Sequence, residues 1–204
     1  MIAIVDYGLS NLTCVVSACR RLGFDPQVVT TGDQIGDASK VILPGVGAFG
    51  DAMANLSERG FVGPLDDAVL RERKPFLGIC LGAQLICRSS DEFGRHEGLG
   101  WIDADVQRID TRGESLRVPH SGWDDIEIIR DCALLADIEP GSLFYYTHSH
   151  AVYANDEQVV SAYCVYGAEF VSIMCKDNVF ATQFHPEKSQ KMGLKLLDNF
   201  LSLA

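Results

Sequence analysis

The segment GICLGAQL, residues 78 to 85, sets Cys80 between Gly78 and Gly82, directly after the apolar run PFL. A nucleophile on a sharp strand-to-helix turn stands exposed above a sheet, and flanking glycines let the backbone pass close to a substrate without a Cβ clash. A helix starting there adds a positive end and free N–H groups, which favour the thiolate over the thiol. The N–H of Leu81, next in the chain, would point at an oxyanion developing on an attacked carbonyl. A cysteine ending a buried strand is more often plain core, so the reading requires a base. Five histidines are present, at 96, 120, 148, 150 and 185. His185 in ATQFHPEKS ends a run of strand-forming residues, and Pro186 biases the chain before it toward an extended conformation. In extended chain Glu187, two residues on, projects to the same side and can orient the imidazole. His-Pro-Glu alone is weak, but with Cys80 it makes a candidate Cys-His-Glu triad for covalent attack on a carbonyl carbon.

These residues need a frame that brings positions 80 and 185 together. The first half alternates short β-branched runs (IAIV, PQVVTT, KVILPG, KPFLGIC) with amphipathic stretches. In SNLTCVVSACRRLGF, Leu12, Val15, Val16, Cys19 and Leu22 share a helical face closed by Gly23, while AFGDAMANLSERG and GAQLICRSS read as further helices. This βαβ rhythm predicts an α/β fold with a mainly parallel central sheet covered on both faces, binding ligands at the carboxyl ends of its strands. From about Gly98 the runs shorten (GWIDADVQRI, DDIEII, SLFYYTHSHAVY, QVVSAYCVYG, EFVSIMCKDNVFATQF) and read as antiparallel or mixed strands on the edge of that sheet. SQKMGLKLLDNFLSL closes the chain as a helix, with Ser189 as N-cap and Leu194, Leu197 and Leu201 facing inward.

LPGVGAFG carries Gly45, Gly47 and Gly50 in dinucleotide-fingerprint spacing. The rest of that fingerprint fails, because the following strand ends in Cys80 instead of a ribose-reading acid. A glycine loop beside a cysteine elbow more plausibly supplies a second oxyanion donor.

The balance of the chain agrees with a catalytic domain. At 204 residues it has room for one domain with a full core, and the expected organisation is a single domain over 1–204. A formal net charge of −11 disfavours nucleic acid and anionic lipid as partners. No stretch approaches a membrane span or a signal peptide, so the expected location is cytoplasmic. Seven cysteines without a C-x-x-C or paired ligand spacing predict buried free thiols and no metal site.

Three separated motifs, PGVG (44 to 47), GICLGAQ (78 to 84) and HPE (185 to 187), resemble the class I glutamine amidotransferases. More narrowly, DYGLSNL, LPGVGAFGDAM, GLGW, VPHSGW and FHPEKSQ are similar to the glutaminase subunits of imidazole glycerol phosphate synthases in histidine biosynthesis. The resemblance runs from Met1 to the C-terminal helix and implies a mixed α/β sandwich with no cofactor. It implies that Cys80 attacks the side-chain amide of L-glutamine to form a thioester, that His185 passes the proton to leaving ammonia and that Glu187 holds the imidazole. It further implies that Gln84 contacts the substrate and that Val46 and Gly47 belong to an oxyanion strand whose amide needs a flip. The implied partner is a cyclase subunit, a (β/α)₈ barrel that receives the ammonia in a heterodimer, facing Asn11, Trp123, Tyr145 and Lys188.

The chain departs from the family pattern at Ser121 and Asp124 in PHSGWD, where PHMGWN is usual, and at His150 in HSH, where His-Ser-Tyr is common. These positions leave open a paralogous glutaminase feeding a surface-sugar amidation enzyme. From other classes, a cysteine peptidase or thiol-stress protein on a similar elbow lacks support from Gln84 and HPEKS. An inactive scaffold is disfavoured by the complete triad.

Overall fold

The computed structural model describes residues 1–203. In chain order it contains β1 (Ile2–Val5), α1 (Leu12–Arg21), β2 (Gln27–Val29), β3 (Lys40–Gly45), α2 (Phe49–Glu58), α3 (Val62–Asp66), β4 (Phe76–Cys80) and α4 (Leu81–Leu85). There follow β5 (Cys87–Ser90), β6 (His96–Glu97), β7 (Ile102–Arg108), β8 (His120–Asp125), β9 (Glu127–Ile128), β10 (Leu143–His148) and β11 (His150–Ala154). The chain ends with β12 (Val160–Tyr166), β13 (Ala168–Lys176), β14 (Val179–Thr182) and α5 (Gln190–Leu201).

The fold is mixed α/β with a mostly parallel central sheet. Strands β2, β1, β3, β4 and β14 run parallel, and β13, β11, β7, β5 and β6 continue the sheet in largely antiparallel fashion. The parallel strands read as continuous apolar runs because both faces are covered. Ala3, Val5, Val41 and Leu43 point to one side, where Leu56 of α2 and Leu65 of α3 pack, while Ile4, Ile42 and Leu77 point to the other, against Val15 of α1 and Leu197 of α5. Period-two alternation thus splits the apolar residues into two clusters, one on each face. No helix among the described residues is long and apolar enough to cross a membrane.

Several elements differ from expectation. The helix after Cys80 stops at Leu85, and Cys87–Ser90 forms β5, since Cys, Arg, Ser and Ser hold no helical apolar stripe and pair instead with Ile102 and His96. Strand β14 is not at the edge: it lies between β4 and β13, with all four residues buried. In place of one strand over DDIEII, His120–Asp125 pairs with Leu143–His148 in a separate two-stranded sheet, and only Glu127–Ile128 joins β12. The helical stretch Val62–Arg71 had no signal strong enough to read past Pro64. Ser189 stands at the N-cap of α5 without capping it. Its Oγ donates to the His185 carbonyl at 2.6 Å and accepts the Tyr145 N–H at 2.9 Å. Leu197 and Leu201 are buried, and Leu194 is half-buried.

Candidate active site

Strands β4 and β14 are parallel neighbours, with Thr182 level with Ile79. Cys80 is the last residue of β4 and His185 follows β14 by three residues, so both emerge at the carboxyl edge, where such sheets bind ligands. His185 Nδ1 lies 2.7 Å from Glu187 Oε1, both side chains 2% exposed. The route to this pair differs from the extended one expected. Pro186–Lys188 form a single 3-10 turn with Pro186 at its start, and that turn, anchored by the His185 N–H donating to the Tyr145 carbonyl at 2.9 Å, carries the carboxylate back to the ring.

Cys80 sits at φ +53° and ψ −107°, a left-handed conformation unusual outside glycine that marks a strained elbow. The flanking glycines serve this turn more than they serve a substrate. A β-carbon on Gly82 would lie 1.8 Å from the Leu43 carbonyl oxygen, and one on Gly78 would lie 2.7 Å from the Gly82 carbonyl oxygen. Their absence lets α4 fold back onto β3 and β4.

The electrostatics of the pair depend on the sulfur. Burial alone pushes the His185 imidazole down, but the charge of Cys80 and its contact with the ring, together with Glu187, outweigh burial and raise the pKa from 6.5 to about 10. His185 Nε2 has no aligned hydrogen-bond partner within the protein. A proton on that nitrogen is therefore not held by an aligned bond within the fold. Gln183 Nε2 approaches the Cys80 sulfur at 3.8 Å.

Cys80 opens into a cavity of about 390 Å³ that Val46, Gly47, Leu81 and Gln84 also line. The structure thus brings together the sequence-predicted nucleophile, glycine loop and Gln84. As the first residue of α4, Leu81 has an N–H without an intrahelical acceptor. The Val46 N–H is committed elsewhere, donating to the Leu9 carbonyl at 2.8 Å. Gln84 donates its amide to the His150 carbonyl at 2.8 Å and to Gln183 Oε1 at 3.1 Å, which leaves its own carbonyl oxygen for a ligand. Sequence reasoning missed Glu92, Thr147 and Ser149, which line the same cavity, and took His150 only as a family departure. Glu92 is held by the Phe49 N–H at the start of α2, 2.7 Å from its Oε2. Its segment DEFGRHEG carries no motif residue, and the hydrogen bond from Phe49, 43 residues earlier in the chain, sets it at the cavity.

From the cavity-lining His148 a row of three side chains runs through buried His120 to the half-buried Asp124. His120 Nε2 is 3.3 Å from Asp124 Oδ2, His120 Nδ1 is 3.2 Å from His148 Nε2, and His148 Nδ1 is 2.8 Å from the His150 carbonyl oxygen. A carbonyl only accepts, so His148 Nδ1 carries hydrogen. Burial pushes the His148 pKa down to about 3, so its Nε2 is a bare acceptor for His120 Nδ1–H.

Three of the residues assigned by resemblance to the partner face lie together. Trp123 and Tyr145 are register partners in the β8–β10 ribbon with ring centroids 5.9 Å apart, and Lys188 Nζ stands 6.0 Å from the Tyr145 ring. Trp123 is 44% exposed and so is not core. Asn11 is exposed at the start of α1 and makes no side-chain cap.

A parallel sheet with a strained cysteine elbow and a His-Glu pair just beyond the neighbouring strand is the arrangement that cysteine-dependent acyl transfer requires. The class-I glutamine amidotransferase family model matches residues 3–203, and the chain belongs to that family. It is 46% identical over 203 residues to imidazole glycerol phosphate synthase subunit HisH of Geobacter sulfurreducens, covering 98% of this chain and 97% of that protein. It is 45% identical to subunit HisH 1 of Campylobacter jejuni, with both chains covered in full at 100%. Among solved structures, PurLQS from Thermotoga maritima superposes with a TM-score of 0.77 at 20% identity over 98% of this chain and 96% of that one, a likeness of fold.

Proposed function

We propose that the chain hydrolyses L-glutamine to L-glutamate and ammonia and hands the ammonia to a cyclase subunit in histidine biosynthesis. The observation that carries this reading is the meeting of Cys80, His185 and Glu187 at the ends of adjacent parallel strands, at the edge of a cavity able to hold an amino acid. The names of the full-length relatives supply the biosynthetic setting.

In this mechanism the Cys80 sulfur attacks the amide carbon of glutamine, and the carbonyl π pair moves to oxygen as an oxyanion. The Leu81 N–H meets that oxyanion, and the Val46 N–H completes the hole once it leaves Leu9. His185 donates its Nε2 proton to the leaving nitrogen, so ammonia departs and a γ-glutamyl thioester remains. Water then adds to the thioester, His185 takes a water proton, and glutamate leaves with the sulfur restored. Glu187 keeps the imidazole in place through both halves of the cycle. The α-ammonium of the substrate falls to Glu92, the carboxylate lining the cavity.

Glu187 and Lys188 also line a second cavity of about 390 Å³ with Thr13 and Cys14, so the triad spans from one opening to another. This supports a substrate side at Cys80 and an ammonia side toward Lys188. The cyclase, a (β/α)₈ barrel in this reading, docks over Trp123, Tyr145, Lys188 and Asn11. The whole chain acts as one amidotransferase domain in the cytoplasm. The deciding experiment measures glutamate release by the chain in complex with its cyclase subunit, and in parallel by Cys80→Ala. Release that requires Cys80, with a γ-glutamyl adduct on the peptide containing it, is expected. An Ala variant as active as the parent would end the proposal.

A further inference from the structure

The cavity wall holds a contact that the chemistry above does not use. His150 Nδ1 stands 3.3 Å from Glu92 Oε1, and both side chains are nearly buried at 12% and 13% exposure. The other carboxylate oxygen of Glu92 accepts the Phe49 N–H at 2.7 Å. Glu92 is therefore hydrogen-bonded by a helix-start amide on one oxygen and has an imidazole at ion-pair distance from the other.

The imidazole is itself fixed. The His150 carbonyl accepts from Gln84 Nε2 at 2.8 Å and from His148 Nδ1 at 2.8 Å, so its backbone is tied to the catalytic wall. Residue 150 begins β11, where it pairs with Arg108 of β7. Its ring Nε2 is 4.0 Å from Asp91 Oδ1, which faces outward. His150, Glu92 and Ser149 line both the Cys80 cavity and an adjoining surface cavity of about 380 Å³ that contains Phe93 and Arg108. The His150–Glu92 pair is thus part of the partition between a reaction chamber and solvent.

A carboxylate has about four lone-pair sites; the Phe49 N–H occupies one, and the His150 ring stands against the other oxygen. A freely rotating glutamate would pay rotamer entropy on meeting a ligand, whereas one confined between the Phe49 amide and the His150 ring has paid it during folding.

From this geometry we infer that His150 is a positioning and specificity residue, which holds Glu92 in the orientation that receives a free α-ammonium group. The inference rests on the glutaminase reading and adds what makes the pocket select an amino acid over a plain amide. It also assigns a task to a position where this chain departs from the family pattern.

The test uses the chain in complex with its cyclase subunit and two substrates: L-glutamine, and glutaramate, the same molecule with hydrogen in place of the α-amino group. The kcat/KM ratio of glutamine over glutaramate is measured for the parent, His150→Phe, His150→Leu and His150→Asn. Phe and Leu remove the ring nitrogen beside Glu92, and the ratio is expected to fall about tenfold, the usual size of losing one polar contact. Asn places its Nδ2 near the position of the histidine Nδ1 and is expected to keep the ratio within about threefold of the parent. In a Glu92→Gln background, adding His150→Phe is expected to change the ratio no further, because the two residues act as a unit. General damage would lower turnover of both substrates together and leave the ratio where it was. An unchanged or increased ratio in both the Phe and Leu variants overturns the inference. A parent complex that releases no glutamate from glutamine overturns the underlying glutaminase reading instead.

Discussion

The backbone N–H of Val46 donates to the carbonyl oxygen of Leu9 at 2.8 Å, while Val46 itself lines the cavity that holds Cys80. A donor beside the nucleophile is thus used up within the fold. Losing one oxyanion donor costs on the order of 10²–10³ in rate. The isolated chain is therefore expected to hydrolyse glutamine at least about a hundredfold more slowly than the cyclase-bound chain, a comparison made by glutamate release. Amide hydrogen exchange at Val46 reads the same bond: slow exchange is expected in the isolated chain and faster exchange in the active complex. Equal protection in both would remove Val46 from the oxyanion hole.

The protonation of His185 is set by the sulfur. Cys80→Ala removes the charge and the contact that raise the imidazole, leaving burial to push it down against Glu187 alone. Imidazole NMR should show His185 titrating at clearly lower pH in Cys80→Ala than in the parent, where the value is about 10. The linkage follows from the sign. A histidine raised from 6.5 to about 10 contributes stability fully present below 6.5 and lost as pH rises through 10. Urea melts between those pH values should show that loss in the parent and much less of it in the Ala variant.

At Asp124 a carboxylate meets the one nitrogen of His120 left over once His148 is satisfied. Burial pushes the His120 pKa down, against the raising effect of Asp124, so at pH 8 a bare nitrogen acceptor faces an acceptor. Asp124→Asn supplies an N–H donor there and is expected to stabilise the protein at pH 8 by about 1 kcal/mol, the worth of one buried hydrogen bond. At a pH low enough to protonate His120, below its ordinary range, the carboxylate is the better partner and the order of stabilities should reverse. Thermal melts at the two pH values check the crossing.

Trp123 is large, 44% exposed and braced by Tyr145, with Lys188 beyond that ring. Such aromatics dominate binding energy where they anchor an interface. Trp123→Ala is expected to weaken cyclase binding by about 2 kcal/mol, roughly thirtyfold in Kd, with the chain's own melting temperature nearly unchanged. Calorimetric titration with an unaltered Kd would move the partner to another face.

Gly82→Ala probes the elbow. Its β-carbon would lie 1.8 Å from the Leu43 carbonyl oxygen, a backbone atom that a side-chain rotation cannot clear. A loss of about 3 kcal/mol is expected in urea unfolding, at the upper end for overpacking. A variant as stable as the parent would show that α4 does not need to press against β3.

The candidate residues Cys80, His185 and Glu187 stood out in the sequence because local rules act there. Glycines flanking Cys80 mark a tight turn, and the Pro after His185 marks where the chain leaves its strand. The parallel half was legible for the same reason, since apolar runs such as KVIL and PFLGIC admit few other roles. The early end of α4 and the strand β5 after it escaped, because a five-residue helix followed by a strand has no periodicity to read.

What the amino-acid order determined by itself was which residues could react and which runs would be buried, because those depend on residue type and near neighbours. Only the tertiary structure decided that β14 enters beside β4, that Glu92 is held at the cavity by Phe49, and that Val46 is bonded to Leu9. Those outcomes depend on contacts between segments far apart in the chain, whose pairing is selected by the packing of the whole core.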